Sequence, residues 1–302
     1  MRREHGQAAA LTVLFMTVLL ASAAAVIDVG SWFREDRDTQ RVADAAALAG
    51  AQALPENQGT ARSLAIEFGG KNGGGVLASN VSFSTTVLPG DTINVDVERP
   101  ADSFFAKIVG IDSVQVGSTA KARAGIPSEA RWAAPIAVDE KHPFLNCHPQ
   151  LSCFGAQNNT TLDLEKVGPG AFRLLNLDGS KGGTGSKLLS EWILEGYEGS
   201  MPLGQYNSDP GAKFNASEID AAMGERLGAE MLFPVYRTIR EEGANLEYEV
   251  IGWVGFYVTG FDTKGNGGKV SGYFTRVIWE GLLSTTSSAS TDFGVRSVAL
   301  ID

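Results

Sequence analysis

The sequence predicts an α+β protein: a long N-terminal helix that starts as a transmembrane segment, then a small antiparallel sheet module, then a larger, mainly antiparallel β-rich module with two helices. Three observations lead there. From Ala8 to Ile27 there are twenty residues without a charge, and no proline interrupts the helical pattern before Pro55. Two alternating segments, VSFSTTV (81–87) and TINVDVE (92–98), flank a Pro-Gly-Asp turn, which is a hairpin signal. Two longer segments rich in Tyr, Phe, Val, Ile and Trp, Glu247–Phe261 and Lys269–Leu283, flank DTKGNGG, a second and larger hairpin.

The first helix is expected to run from the apolar span to Leu54. Twenty residues at 1.5 Å each reach about 30 Å, the thickness of a bilayer's hydrocarbon core. A cleaved signal would have a shorter core, although Ala21–Ala25 offers small residues for a cleavage site. A buried core helix seldom has so long an uncharged run. The expected organisation is a cytoplasmic N-terminus at 1–7, the span at 8–27, a helical stalk with a small α+β module at 28–125, and an extracytoplasmic β-rich domain at 126–302. Arg2 and Arg3 ahead of the span favour that orientation. Asp28 and Gly30 mark the membrane exit. Beyond them Ala43, Ala46, Ala47, Gly50 and Ala51 form a small-residue face that lets another helix approach closely, from the same domain or from a partner subunit.

The elements that follow are expected in this order. Thr60 caps a short helix, VSFSTTV and TINVDVE pair, Asp102 or Ser103 caps the helix SFFAKIVG, and Ser113–Arg123 returns as a strand. Gly125-Ile126-Pro127 marks a boundary. Strands follow at 134–139, 161–166 and 171–179. A helix at 187–197 is capped by Ser186, and another near 215–228 by Ser217 with Asp220. Strands at 232–236 and 295–301 and the large hairpin complete the chain, with Gly252, Gly255 and Gly272 marking bulges or curvature.

The composition narrows the function. A net charge of −10 with no basic stripe argues against nucleic acid. Cys147 and Cys153 read as a local disulfide in an oxidising compartment. His142 and His148 beside them leave a zinc site or free thiols as alternatives, but the spacings fit zinc poorly. GGTGSK (182–187) has the wrong order for a phosphate loop. Asp262–Gly267 places Lys264 where a calcium loop needs a ligand, and no Gly-x-Ser-x-Gly elbow occurs. No catalytic residue, cofactor or metal is therefore expected. Trp253, Tyr257, Tyr273 and Trp279 suggest a second possibility, an adhesive module that binds a glycan or surface, although strand aromatics more often fill a core. A cell-envelope hydrolase built on His142 or His148 is a distant third.

GQAAALTVLFMTVLLASAAAVIDVG followed by TQRVADAAALAGAQALP resembles the N-terminal region of the TadE/TadG-like proteins of the Tad (tight adherence, Flp-type) pilus-assembly system. The matching features are Gly6, the apolar span, Asp28-Val29-Gly30 and the run from Gln40 through ADAAALAGA. The likeness covers about the first fifty-five residues and continues less specifically to Arg123. It implies a bitopic membrane protein with a pilin-like helix and a place in pilus assembly or anchoring, and with the motif reading above no enzymatic activity is expected. It also implies partners: other pilin-like subunits and the membrane platform, with a homo- or hetero-oligomer through the N-terminal helix as one possibility. Peptidase-processed pilins carry Glu at the fifth position after the cleaved glycine. Here that position is Leu11, a departure that speaks against cleavage and against incorporation as an ordinary subunit. The Asp-x-Ser-x-Ser metal motif of some TadG-like proteins has only Asp178-Gly-Ser-Lys-Gly as a counterpart, which reads as a turn.

Overall fold

The computed structural model describes residues 5–145, 153–164, 170, 172–209, 214–242, 245–264, 268–279, 281–283 and 291–301. The fold is α+β, and it divides into two compact units, Met1–Arg123 with Ala299–Asp302, and Ala124–Val298.

The first unit is built on α1 (His5–Ala51), one unbroken helix. Its apolar part is exposed along its length and is long and apolar enough to cross a membrane. The polar side chains in that part are satisfied within the helix. Thr12, Thr17 and Ser22 donate to the carbonyls of Ala8, Val13 and Val18, at 2.9, 2.8 and 2.9 Å. No solvent is then needed to pair those hydroxyls, which hydrocarbon requires of any group it surrounds.

Beyond Asp28 the same helix becomes a core element. α2 (Gln58–Lys71) packs on it, as does β2 (Thr92–Asp102). The cap of α2 is Asn57, whose Oδ1 accepts the Thr60 N–H at 2.9 Å; Thr60, expected as the cap, is already inside the helix. β2 pairs antiparallel with β1 (Val81–Ser84) on one side and β3 (Ser113–Gly125) on the other. Its alternation buries Ile93, Val95 and Val97 completely. The turn before β2 is held by Asp91, which accepts the N–H groups of Thr86, Val87 and Leu88 at 2.8–2.9 Å. Burial opposes the charge on Asp91, but these bonds outweigh it and hold the carboxyl below the usual range.

In the second unit β4 (Pro127–Ala130) and β5 (Ile136–Asp139) precede β6 (Thr160–Asp163) and β7 (Phe172–Leu174). Then come α3 (Ser186–Leu194), β8 (Met201–Pro202), β9 (Gly204–Asn207) and α4 (Ser217–Glu225). The chain continues with β10 (Glu230–Glu242), β11 (Asn245–Asp262), β12 (Lys269–Thr275), β13 (Val277–Ile278), β14 (Gly281–Leu283) and β15 (Val295–Ile301). The main sheet has the order β6-β12-β11-β10-β5-β7, with β9 also on β11, and β14-β4-β8 form a smaller sheet. Among the described residues, pairing within these two sheets is antiparallel except for β5 with β10, and β13 also pairs in parallel with β15. The core is aromatic: Phe233 stacks on Phe256 at 5.0 Å between centroids, and Phe256 meets Phe274 edge-on at 5.2 Å.

Four sequence expectations are corrected here. The segment Lys269–Leu283 is not one strand. It breaks after Thr275 because its pieces pair with different partners, β12 with β11, β13 with β15 and β14 with β4. The strand expected at 232–236 extends to Glu242, since Ile239–Glu242 pair with Asn245–Tyr248 although their sequence is too polar to alternate. Ser186 and Ser217 do not cap their helices. Gly185 and Ala216 hold the N-cap positions, with no side-chain cap bond. The register slips fall beside two of the three flagged glycines, Gly252 and Gly272, where a Cβ at Gly272 would stand 2.0 Å from the Tyr257 carbonyl.

Candidate functional site

Asp28, expected with Gly30 at the membrane exit, occupies a defined joint. Asp28 is 2% exposed although it directly follows the apolar span. Its carboxylate accepts the backbone N–H of Phe104 at 2.6 Å and of Phe105 at 3.0–3.1 Å, and also that of Ala106. These three groups open the β2–β3 connection, residues 103–112, whose single 3-10 turn is Ala106–Val109. The start of such a turn presents N–H groups without internal partners, and a carboxylate satisfies them. Burial pushes the Asp28 carboxyl up, but the N–H donors and the Lys107 charge prevail, so it sits below the ordinary value and stays ionised.

The connection is closed by Ser103 N–H to the Asp112 carbonyl at 2.9 Å and by Gly110 in a left-handed conformation, φ 86°. Further contacts fasten α1 along the hairpin. Ser31 Oγ donates to the Asp102 carbonyl at 3.2 Å, Arg99 meets Glu35 at 3.4 Å, and Thr39 Oγ1 lies 2.9 Å from Ser118 Oγ. These contacts tie α1 to the β2–β3 hairpin from Asp28 to Thr39. Gly30 faces open space with no atom near its missing Cβ, so it takes no part in the clamp.

The small-residue face meets its own unit. Ala43, Ala46, Ala47 and Ala51 are completely buried. A Cβ at Gly50 would stand 2.4 Å from Ile93 Cδ1 and 2.9 Å from the Ala61 carbonyl. Close approach is thus used by α2 and β2.

Cys147 and His148 lie outside the described residues. His142 is a core residue, edge-on to Phe274 at 5.0 Å, with Nδ1 accepting the Phe144 N–H at 3.2 Å and Nε2 3.3 Å from Thr160 Oγ1. Burial lowers its pKa to about 4 against the opposing pull of Asp139. Asp178 does form a turn, accepting the Ser180 N–H at 2.9 Å. Of the four candidate aromatics, Trp253 is buried in the core. Tyr257 and Tyr273 stack on each other at 5.1 Å, and Trp279 donates to the Arg131 carbonyl at 2.8 Å.

Comparison with known proteins bears on the joint. Residues 6–53 match the family model described as putative Flp pilus-assembly TadE/G-like. This is the family that the N-terminal region resembles, and the match covers the apolar run, Asp28 and the small-residue face. No curated protein and no solved structure matches the chain. Both β-sheet regions thus lie outside the TadE/G-like match.

The partners of Asp28 were not legible in the sequence, where SFFAKIVG reads as a short helix capped by Asp102 or Ser103. In the structure neither Asp102 nor Ser103 caps it. The distant Asp28 does, and Phe104, Ile108 and Val109 are 66, 84 and 76% exposed. The available signal was the density of apolar residues on both sides of Lys107 in so short a segment.

Proposed function

We propose that this chain is a membrane-anchored, TadG-like component of Tad/Flp pilus assembly or anchoring, with a structural and interaction role and no catalysis. Residues 1–7 lie in the cytoplasm and the bulk of the chain is extracytoplasmic. The observation that carries the reading is the joint itself: a TadE/G-like helix, exposed and apolar to Ile27, is clamped at Asp28 to the unit it bears. Such a clamp holds a folded domain at a set height above a bilayer. Leu11, where a polymerising pilin carries its acid, favours a protein that stays in the membrane over one that enters the fibre.

Its partners are other pilin-like subunits and the membrane platform. Because Ala43, Ala47 and Gly50 are used inside the unit, an oligomer through α1 would form along the exposed span. Cys147 and Cys153 form a disulfide outside the cytoplasm. Deleting the gene in a piliated host should abolish or sharply reduce surface pili, and the detergent-solubilised protein should bring down assembly components. Unchanged piliation would overturn the reading.

A further inference from the structure

The connection 103–112 places apolar side chains where a folded domain ordinarily keeps polar ones. Phe104, Phe105, Ile108, Val109 and Ile111 are 43–84% exposed, with Lys107 among them. Contiguous exposed apolar surface of this kind marks an interaction site. Its position says with what. The first residues of the connection bond directly to Asp28, the residue that follows the apolar span, so the patch stands at the level where α1 leaves the membrane. Val29 and Phe33 on the helix are also exposed, at 41 and 63%. The exposed apolar surface of the span thus continues onto a second element at the same height.

We propose that the 103–112 connection is a second membrane contact, its apolar side chains lying in the interfacial zone of the bilayer that the span crosses. This rests on the membrane-anchor reading above and goes beyond it. Amphipathic surfaces enter the boundary of headgroups and acyl chains by about 5–10 Å, with aromatic rings and long cations suited to that zone. Phe104 and Phe105 supply the rings. Lys107 supplies an ammonium that reaches back to lipid phosphate while its methylenes stay among the chains. The polar backbone of the turn does not oppose insertion, because Asp28 takes the N–H groups of 104–106 and Gly110 N–H bonds to the Lys107 carbonyl. A second contact beside the span fixes tilt and rotation of the first unit, which one helix leaves free.

The test is photocrosslinking of the full chain in phosphatidylcholine–phosphatidylglycerol vesicles, with benzoylphenylalanine replacing one residue at a time at Ile108, Leu14 or Ser84. Ser84 pairs with Thr92 at the other end of β2, about 33 Å along the strand from the connection. Mass analysis should find lipid adducts at position 108, about tenfold or more above position 84 for a side chain held in the interface. Lipid adducts at 14 with none at 108 would overturn the second contact and leave the anchor standing. No lipid adduct at either would overturn the anchor as well. Adducts at 108 to another copy of the chain in place of lipid would identify a protein interface and equally reject the proposal.

Discussion

Gly50 offers the sharpest test of how α1 is used. A Cβ there would stand 2.4 Å from Ile93 Cδ1, 2.9 Å from the Ala61 carbonyl and 3.3 Å from Ala65 Cβ, and Ile93 and Ala65 are completely buried. The Ala61 oxygen is helix backbone and cannot swing aside. Gly50→Ala gains about 1 kcal/mol of helix propensity and loses about 1–3 kcal/mol to overpacking, a net destabilisation of about 0–2 kcal/mol. Gly50→Leu adds bulk with the same neighbours in the way and should cost about 3 kcal/mol or more. At 1.4 kcal/mol per factor of ten, amide exchange that requires opening of this packing should rise about 100-fold. Hydrogen exchange read by mass spectrometry on peptides covering residues 58–71 and 92–102 of the full chain would measure it. If Gly50→Leu leaves both peptides as protected as in the parent, the small-residue face does not hold α2 and β2, and its use for a partner helix returns.

Asp28→Ala should speed exchange at Phe104, Phe105 and Ala106 while leaving α2 protected; no change at those three amides would remove the clamp from the argument. His142 should titrate near pH 4 by NMR, and because its folded pKa lies below its ordinary 6.5, its neutral form contributes stability that is complete above 6.5 and lost as pH falls toward 4. His142→Phe should flatten the pH dependence of unfolding across that window, and a midpoint near 6.5 in the parent protein would refute the burial. Cys147 and Cys153 should resist alkylation until a reductant is added, with intact mass as the readout, whereas two thiols that alkylate freely would dismiss the disulfide.

Sequence alone determined the covalent and periodic features. Twenty uncharged residues make a helix long and apolar enough to cross a membrane. The absence of proline before Pro55 allows one helix, and period-two alternation in TINVDVE buries one face of β2. Asp28 and the ADAAALAGA run were visible as a pattern resembling the TadE/TadG-like proteins, and the family model matches the same stretch. What the pattern could not say was what each residue touches.

Tertiary structure decided that. Asp28 finds its donors 76 to 78 residues away, so no local rule points to them. The small-residue face could have served a partner or its own domain, since both demand the same spacing; only folding brings Ile93 and Ala61 against Gly50. SFFAKIVG has the composition of a core segment, yet the donors it offers are taken by Asp28 and its apolar side chains are left outside. Lys269–Leu283 has the propensity of a single strand, yet competing edges divide it. Local sequence sets which conformations are cheap, but long-range hydrogen bonds and close packing choose among them, and at Asp28 those contacts fasten the apolar helix to the β2–β3 connection.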